Sequence, residues 1–222
     1  MDLKKYLSRN PKGLKWLVHL YNRTAGFNSI RRGKNRICVG ASLLKRTKIR
    51  ISGEGNTVVF SDWSALFHCA IQITGNYNRI EIGPDCVLRQ VELVIEDDGN
   101  VISVGKGGRL YGPTQLAAIE GTKIFVGEDC LFSSGVKIRT GDSHSIVNMD
   151  GNRINPSEDV VIGEHVWLGT DVLCLKGTRV PGHCIVGARS LVNRAFSEEN
   201  CILAGVPARI VKTEVDYLCK RL

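Results

Sequence analysis

The clearest pattern in the chain is an apolar repeat of six residues between Ile162 and Val192. Counting in sixes from Ile162 gives only apolar side chains: Ile162, Leu168, Cys174, Val180, Val186 and Val192. An amphipathic helix would repeat near every 3.6 residues, and a half-buried strand every second residue. A period of six instead predicts a short strand and a bend, repeated so that successive coils stack on one core. We therefore predict an all-β solenoid with parallel strands.

A longer repeat precedes this one. Ile82, Val104 and Val126 are 22 residues apart, and each lies in a β-rich stretch that follows a glycine. Three sixes make 18 residues, so each of these coils has about four extra residues, which we expect as a small outward insertion.

The count of six fails after Ile138. Val126, Phe132 and Ile138 keep the register, but the next three positions would turn His144, Asp150 and Pro156 inward. A packed core does not accept such residues without partners. We therefore predict that residues 139–159 leave the solenoid as a loop and that the chain re-enters it at Val160. A long loop on a regular scaffold is a common place for a functional site.

The two ends of the chain predict helices. Residues 1–30 read as a helical segment, residues 31–211 as the solenoid domain and residues 212–222 as a C-terminal helix. The first helix carries Trp16 with Lys4, Lys5, Arg9, Lys12 and Lys15. This composition suits contact with an anionic inner-membrane surface. Packing against the solenoid is the interpretation we favour, because open ends of solenoids need a cover.

Charge and cysteine content indicate which partners and which cellular compartment to expect. The 222 residues carry a formal net charge of +8, which suits a polyanion, an anionic membrane surface or a phosphate-bearing cofactor as partner, and charge alone does not choose among these. We expect no nucleic-acid partner. The eight cysteines form no CxxC pair, and we interpret them as small core residues in a reducing compartment. No signal peptide or membrane span is apparent, so we expect a cytoplasmic protein.

The stretch VVIGEHVWLGTDVLCLKGTRVPGHCIVGARSLV, with ILAGVPARIV after it, resembles the closing coils of the hexapeptide-repeat acyltransferases. The match is specific from about Ile124 to Lys212 and looser back to about Arg36. The resemblance implies a left-handed β-helix, acetyl-coenzyme A as acetyl donor, and a homotrimer with its donor cleft between adjacent solenoids. It is strongest toward the maltose-type and the capsular or polysialic-acid O-acetyltransferases. It therefore implies a carbohydrate acceptor, neutral or anionic, in a bacterial surface polysaccharide or its precursor.

His144 is the first candidate for catalysis. It lies in GDSHS, inside the predicted loop, where the O-acetyltransferases that the chain resembles carry their catalytic histidine. A neutral imidazole can take the proton from a sugar hydroxyl as that oxygen attacks a thioester. Asp142 is a candidate to orient the ring, although Asp150, Glu158, Asp159 or a main-chain carbonyl could serve instead. Trp167, in VWLG, matches a tryptophan that lines the catalytic site in the polysialic-acid type.

The resemblance also implies where the donor binds. The pantetheine arm would lie along the solenoid near Gly169 and Ala188. Cations would hold the phosphates, with Arg209 in GVPAR as the first choice and Arg189, Arg194 and Lys212 nearby.

Other interpretations remain open. One alternative is N-acetylation of an amino sugar nucleotide. Relatives with that activity often begin with a nucleotide-binding domain, and the lack of a GxGxxG motif in this chain speaks against it. Serine acetylation and a non-catalytic scaffold are further alternatives. His165 and His183 are one coil of 18 residues apart and should be neighbours. The γ-type carbonic anhydrases bind zinc on this kind of solenoid through a closer histidine pair and an earlier histidine. Because that pair is missing, we expect no metal.

Overall fold

The protein, seen in a computed structural model that describes residues 11–219, is a parallel β-solenoid with three faces. The first face is a sheet of seven strands, and each coil contributes one strand to it. These strands are β2 (Arg36–Val39), β5 (Thr57–Phe60), β8 (Arg79–Ile82), β10 (Val101–Val104), β12 (Lys123–Val126), β15 (Val160–Ile162) and β18 (Arg179–Val180).

The second and third faces join into one larger sheet, because two long strands run around the corner between them. Those strands are β9 (Val87–Glu96) and β11 (Arg109–Ala118). The second face also holds β3 (Leu43–Lys45), β6 (Ala65–Phe67), β13 (Leu131–Phe132), β16 (Trp167–Leu168), β19 (Ile185–Val186) and β21 (Ile202–Gly205). The third face holds β1 (Ser29–Arg31), β4 (Lys48–Ser52), β7 (Ala70–Thr74), β14 (Lys137–Arg139), β17 (Leu173–Cys174) and β20 (Leu191–Val192). A last strand, β22 (Ala208–Lys212), turns back antiparallel to β21.

The six-residue repeat forms the core as predicted. All six of its apolar side chains are at most 1% exposed. The longer repeat is also in register, since Val104 pairs with Ile82 on one side and with Val126 on the other. Burial of these aliphatic side chains between stacked coils stabilises the fold, and no coil could bury them alone.

A ladder of buried polar side chains lines the corner between the third and first faces. Its members are Asn35, Asn56, Asn78, Asn100, Thr122 and Thr140, each at most 9% exposed. In four of these ladder residues, the main-chain N–H donates to the side-chain oxygen of the asparagine one coil earlier, at 2.7–3.0 Å; they are Asn56, Asn78, Asn100 and Thr122. The ladder satisfies turn groups that would otherwise be buried without partners. It ends at Thr140, where the chain leaves the solenoid.

The N-terminal helix, α1 (Pro11–Thr24), packs against the first coils. Asn22 donates to the carbonyl of Ser42 and accepts from the main-chain N–H of Leu44, at 2.8 and 2.9 Å. Lys15 pairs with Asp62 at 2.7 Å, and its ammonium group lowers the pKa of that carboxyl. These contacts agree with the packing interpretation. The basic residues Lys4, Lys5 and Arg9 lie outside the described residues.

The C-terminal segment differs from the sequence expectation. Residues 213–219 form an extended strap without helix, and residues 220–222 lie outside the described part. A helix of this length is marginal by itself. The strap instead gains contacts with the solenoid, where the Tyr217 side chain is only 7% exposed and its hydroxyl donates to the Asp129 carbonyl at 3.1 Å. The prediction of a C-terminal helix was therefore wrong over these residues.

Among the described residues there is no helix with the length and apolar character needed to cross a membrane.

Candidate active site

The chain leaves the solenoid after β14 and returns at β15, and both ends of this loop are fastened at Thr140. The Thr140 hydroxyl lies 2.6 Å from that of Thr122 and accepts from the Ile119 N–H at 3.0 Å. The Thr140 carbonyl accepts from the N–H of Glu158 at 2.9 Å, which closes the loop at its base. The buried ladder therefore provides a rigid base for residues 141–157.

Asn155 organises the interior of the loop. It is only 6% exposed, although the loop around it faces solvent. Its side-chain oxygen accepts from the main-chain N–H of Ile146 at 2.6 Å. Its amide nitrogen donates to the carbonyl of His144 and to the Asp142 carboxylate, both at 2.8 Å. One buried amide thus fixes three points of the loop.

His144 has a fixed backbone and an unengaged ring. Its carbonyl is held by Asn155, and its side chain is exposed. Within residues 11–219, no hydrogen bond or ion pair involves the imidazole nitrogens. Both nitrogens are thus available to a ligand, and a neutral imidazole can accept a proton from a bound hydroxyl.

Asp142 lies close to His144 along the chain but binds other residues. Its Oδ2 accepts from Lys176 Nζ at 2.6 Å and from Asn155. These two hydrogen bonds, that of Lys176 first, lower the pKa of the Asp142 carboxyl. The carboxylate makes no hydrogen bond to the His144 ring within the described residues. The geometry gives Asp142 the task of tying the loop to the next coil, through Lys176.

The far limb of the loop is held by a second ion pair. Arg153 donates to the Glu120 carboxylate at 2.9 Å, and the Ser157 hydroxyl donates to it at 2.7 Å. These contacts, that of Arg153 first, lower the pKa of Glu120. Arg153 also pairs with Val147 in an antiparallel bridge, so residues 146–154 form a narrow finger.

Trp167 lies on another face of the protomer. It is in β16 on the second face, whereas the loop leaves the end of the third. Its indole N–H donates to the Ser133 hydroxyl at 3.1 Å, and its ring lies 5.8 Å from that of Tyr217. It keeps 36% of its surface exposed. Within the described residues of one protomer, no hydrogen bond or ring contact joins Trp167 to His144.

The predicted donor residues meet at the corner between the second and third faces. Gly169 donates its N–H to Val186, and a Cβ on Gly169 would lie only 2.8 Å from the Ala188 nitrogen. A side chain there would therefore separate the coils. Arg189 is exposed and lies 3.6 Å from the Asp171 carboxylate.

Arg209 is brought to the same corner by the last hairpin. It pairs with Ala204 across β21 and β22, and the Gly205 N–H donates to the Ser190 hydroxyl at 3.1 Å. Lys212 pairs with Ile202 at the opposite end of β22. Three residues of strand, at about 3.3 Å each, separate its backbone from that of Arg209, and its part in donor binding stays a prediction.

Two residues of this site were not found from the sequence. Asn155 has no recognisable motif, because its role comes from burial inside a loop. Lys176 carried a weaker signal, since it is an outward residue two positions after Cys174, on the coil above Asp142.

Similarity to known proteins identifies the family. No protein-family model matches the chain. A polysialic acid O-acetyltransferase of Neisseria meningitidis is 34% identical over 146 residues, which cover 56% of this chain and 68% of the relative. The crystal structure of the polysialic acid O-acetyltransferase OatWY superposes with a TM-score of 0.70 at 30% identity, over 88% of this chain and 92% of that one. The chain belongs to the hexapeptide-repeat O-acetyltransferases. The predicted resemblance is thereby confirmed.

Other relatives agree on the fold of this acetyltransferase. A galactoside O-acetyltransferase of Lactococcus lactis is 29% identical over 130 residues, which cover 59% of this chain and 61% of the relative. The acetyltransferase NeuO, specific for polysialic acid, superposes with a TM-score of 0.79 at 22% identity. The superposition covers 87% of this chain and 83% of NeuO. The solenoid is a left-handed β-helix, as the resemblance implied.

Proposed function

We propose that this acetyltransferase moves an acetyl group from acetyl-coenzyme A to a sugar hydroxyl of a bacterial surface polysaccharide or its precursor. The observation that carries the proposal is the exposed, unengaged imidazole of His144 on a loop whose backbone is fixed. The similarity to polysialic acid O-acetyltransferases supports a carbohydrate acceptor. The net charge of +8 suits an anionic glycan.

His144 acts as the general base. Its neutral imidazole takes the proton of the acceptor hydroxyl as the hydroxyl oxygen attacks the thioester carbonyl carbon. The carbon–oxygen bond forms, the carbon–sulfur bond breaks, and the thiolate leaves with the proton that the imidazole returns. The acetyl group passes directly between donor and acceptor, so no cysteine or serine nucleophile is needed.

The donor lies along the corner formed by Gly169, Ala188 and Arg189. The bare backbone at Gly169 and the small Ala188 leave room for the pantetheine arm, whose amides hydrogen-bond to main-chain groups. Arg209 and Arg189 hold the phosphates, with the guanidinium fork suited to phosphate oxygens. Lys212, at the other end of β22, is a further candidate for phosphate contact.

A homotrimer completes the site. The loop with His144 and the face with Trp167 are separate in one protomer, so a neighbouring solenoid supplies the second wall of the cleft. Acetyl-coenzyme A is a cytoplasmic metabolite, and we place the protein on the cytoplasmic side of the inner membrane.

A thiol-release assay tests the role of His144. The purified protein is mixed with acetyl-coenzyme A and a panel of neutral and sialic-acid-containing glycans, and free coenzyme A is measured. His144→Ala should lower turnover about 10²- to 10⁴-fold, the usual contribution of a positioned base. Met149→Ala, a fully exposed residue of the same loop, is the control and should keep wild-type turnover. Unchanged turnover in His144→Ala would refute the base.

The product distinguishes an ester from an amide. O-acetyl groups are removed by mild alkali, whereas N-acetyl groups resist it, so loss of the product acetyl group in alkali supports O-acetylation. An alkali-stable product formed only with amino sugars would replace the proposal by N-acetylation.

Mixed assemblies test the shared site. His144→Ala and Trp167→Ala chains should each be nearly inactive, and unfolding and reassembling them together should restore part of the activity. No recovery in trimers shown by light scattering to be mixed would place both residues in the same protomer's site.

A further inference from the structure

The corner between the first and second faces carries a column of side chains that the proposed reaction does not use. Asp129, His165 and His183 occupy this corner in three successive coils, with φ angles of +52°, +49° and +57°. The main-chain N–H of His165 donates to the Glu128 carbonyl. In the next coil the main-chain N–H of His183 donates to the Glu164 carbonyl in the same way. Equivalent backbone geometry points the three side chains the same way, and the two imidazole rings lie 5.2 Å apart.

The C-terminal strap adds a carboxylate to this column. Val215 donates its N–H to the Asn200 carbonyl at 3.0 Å, which brings the next residue, Asp216, over the corner. The two oxygens of Asp216 lie 3.4 Å from His165 Nε2 and 3.3 Å from His183 Nδ1. His165, His183 and Asp216 therefore offer three ligand atoms that all lie within 4.8 Å of one another.

The hydrogen bonds of His165 leave one of its nitrogens surrounded by acceptors. Its Nδ1 lies 2.8 Å from the Asp129 carboxylate, which holds the neutral ring in the tautomer with hydrogen on Nδ1. The lone pair of Nε2 then faces the Tyr217 carbonyl at 3.2 Å and the Asp216 carboxylate. Oxygen and nitrogen lone pairs repel one another, so this arrangement needs a positive charge between them, either a proton or a metal ion.

The surroundings favour a metal ion. A carboxylate that accepts from the outer nitrogen of a histidine is the usual partner behind a metal-bound imidazole. The cleft at this corner is lined by Glu128, Asp129, Glu164 and the two histidines, with no lysine or arginine among its lining residues. This is a locally anionic site on a chain of net charge +8. Both imidazoles are partly exposed, at 21% and 38%, so an ion can reach them.

We propose that His165 Nε2, His183 Nδ1 and the Asp216 carboxylate bind a divalent transition-metal ion, zinc in the first instance, with Asp129 supporting His165. Zinc binds nitrogen and oxygen at about 2.0–2.2 Å, so two ligands of a tetrahedral ion lie roughly 3.3 Å apart. One oxygen of Asp216 lies at about this distance from His165 Nε2 and the other from His183 Nδ1, so binding of one ion would draw the three ligand atoms, now within 4.8 Å, closer together. Two histidines and one carboxylate leave the fourth position to water.

The ion fastens the strap to the solenoid. Asp216 comes from the strap and the two histidines from the coils, so the ion joins the two parts. It thereby fixes Tyr217, whose ring stacks on His165 at 4.3 Å and lies beside Trp167. The sequence expectation of no metal rested on the histidines alone, because Asp216 was assigned to a helix.

Direct metal binding tests the proposal without use of the acetyltransferase activity. Protein made without a histidine tag is stripped with a chelator and titrated with Co²⁺, a coloured substitute for Zn²⁺. We expect one ion per chain, a visible d–d absorption of tetrahedral or five-coordinate character, and displacement of Co²⁺ by Zn²⁺. Hydrogen exchange of residues 213–218 should slow when Zn²⁺ is added.

The substitutions are chosen to keep the backbone conformation of each position. His165→Asn, His183→Asn and Asp216→Asn should each weaken binding at least tenfold, since asparagine tolerates the positive φ of the two corner positions. Asp129→Asn should weaken it about 10- to 100-fold, as expected for a supporting carboxylate. His68→Asn is the matched control, because His68 is exposed with φ of +56°, and its variant should bind like the wild type.

Two results would overturn the proposal. Weak binding that the His165→Asn and His68→Asn variants share equally would show nonspecific binding and overturn it. Wild-type protein that binds no Co²⁺ or Zn²⁺ while its circular dichroism is native would also overturn it, and would assign the charge at this corner to a proton. A variant that loses binding counts in favour only if its spectrum and melting temperature show a folded chain.

Discussion

The amide nitrogen of Asn155 donates to the main-chain carbonyl of His144 at 2.8 Å, and the same nitrogen donates to the Asp142 carboxylate. Asn155 therefore positions His144 through the backbone and leaves the imidazole free. This arrangement meets two requirements of the general base that we propose for His144, which must be held in place and must also have an available nitrogen.

Replacement of Asn155 by alanine tests this division. The variant loses the contacts to His144, Asp142 and Ile146, so the loop should lose its fixed position while the solenoid stays folded. We expect turnover to fall at least tenfold, because small displacements of a catalytic group have large effects on rate. The KM for acetyl-coenzyme A should stay within about twofold, since the corner at Gly169 and Ala188, where we propose that the donor binds, is untouched. Met149→Ala serves as the control. A change confined to the KM for the donor would contradict the assigned position.

The ion pair of Asp142 and Lys176 predicts a defined pH dependence. The pKa of Asp142 is lowered below its usual 3.8, with the hydrogen bond from Lys176 as the main cause. The folded state then gains stability above the unfolded pKa and loses it as pH falls through the lower, folded value. The contribution of the Asp142–Lys176 ion pair to stability should be constant from about pH 5 to 8 and should decrease below about pH 4.

Hydrogen exchange of residues 141–157 measures this pair, with wild type compared to Asp142→Asn at each pH. The ratio of the two protection factors should be flat between about pH 5 and 8 and approach one in acid. A ratio that changes near neutral pH would show that another group controls the loop.

The buried asparagine ladder should contribute to stability. Asn78 is 1% exposed; its oxygen accepts from the N–H of Asn100, and its amide donates to the Asp97 carbonyl at 2.9 Å. Asn78→Ala leaves the buried N–H of Asn100 without a partner, at a cost of about 1–3 kcal/mol, and also removes the part-buried bond to the Asp97 carbonyl. We expect a clear drop in melting temperature, whereas the exposed Asn193→Ala should leave it unchanged. Equal melting temperatures would mean that water replaces the ladder.

The sequence predicted the regular part of this protein well, and the reason is physical. A solenoid repeats one local rule, so Ile162 and Val192 reveal the core by spacing alone, and the break after Ile138 reveals the loop. The role of Asn155 depends on a fold of the loop that no repeat encodes. The prediction of a helix for the C-terminal strap failed for a similar reason, because Tyr217 and Asp216 are held by residues that lie far away in the chain.

Cysteine reactivity gives a last test, and it bears on the thiol-release assay. Burial raises the pKa of Cys69 and Cys86 to about 11 and that of Cys130 and Cys174 to about 12. At pH 8, a thiol of pKa about 12 is a thiolate in roughly one molecule in ten thousand, and the thiolate is the reactive form.

Of the eight cysteines, only Cys38 and Cys219 are not buried. A disulfide reagent should therefore label at most two thiols per native chain quickly, and all eight after denaturation. The Cys219→Ser variant should lose one rapidly labelled thiol, whereas Cys174→Ser should change only the denatured count. Fast labelling of Cys174 in the native chain would show that the coils around β17 open readily, against the rigid solenoid that carries the loop of residues 141–157.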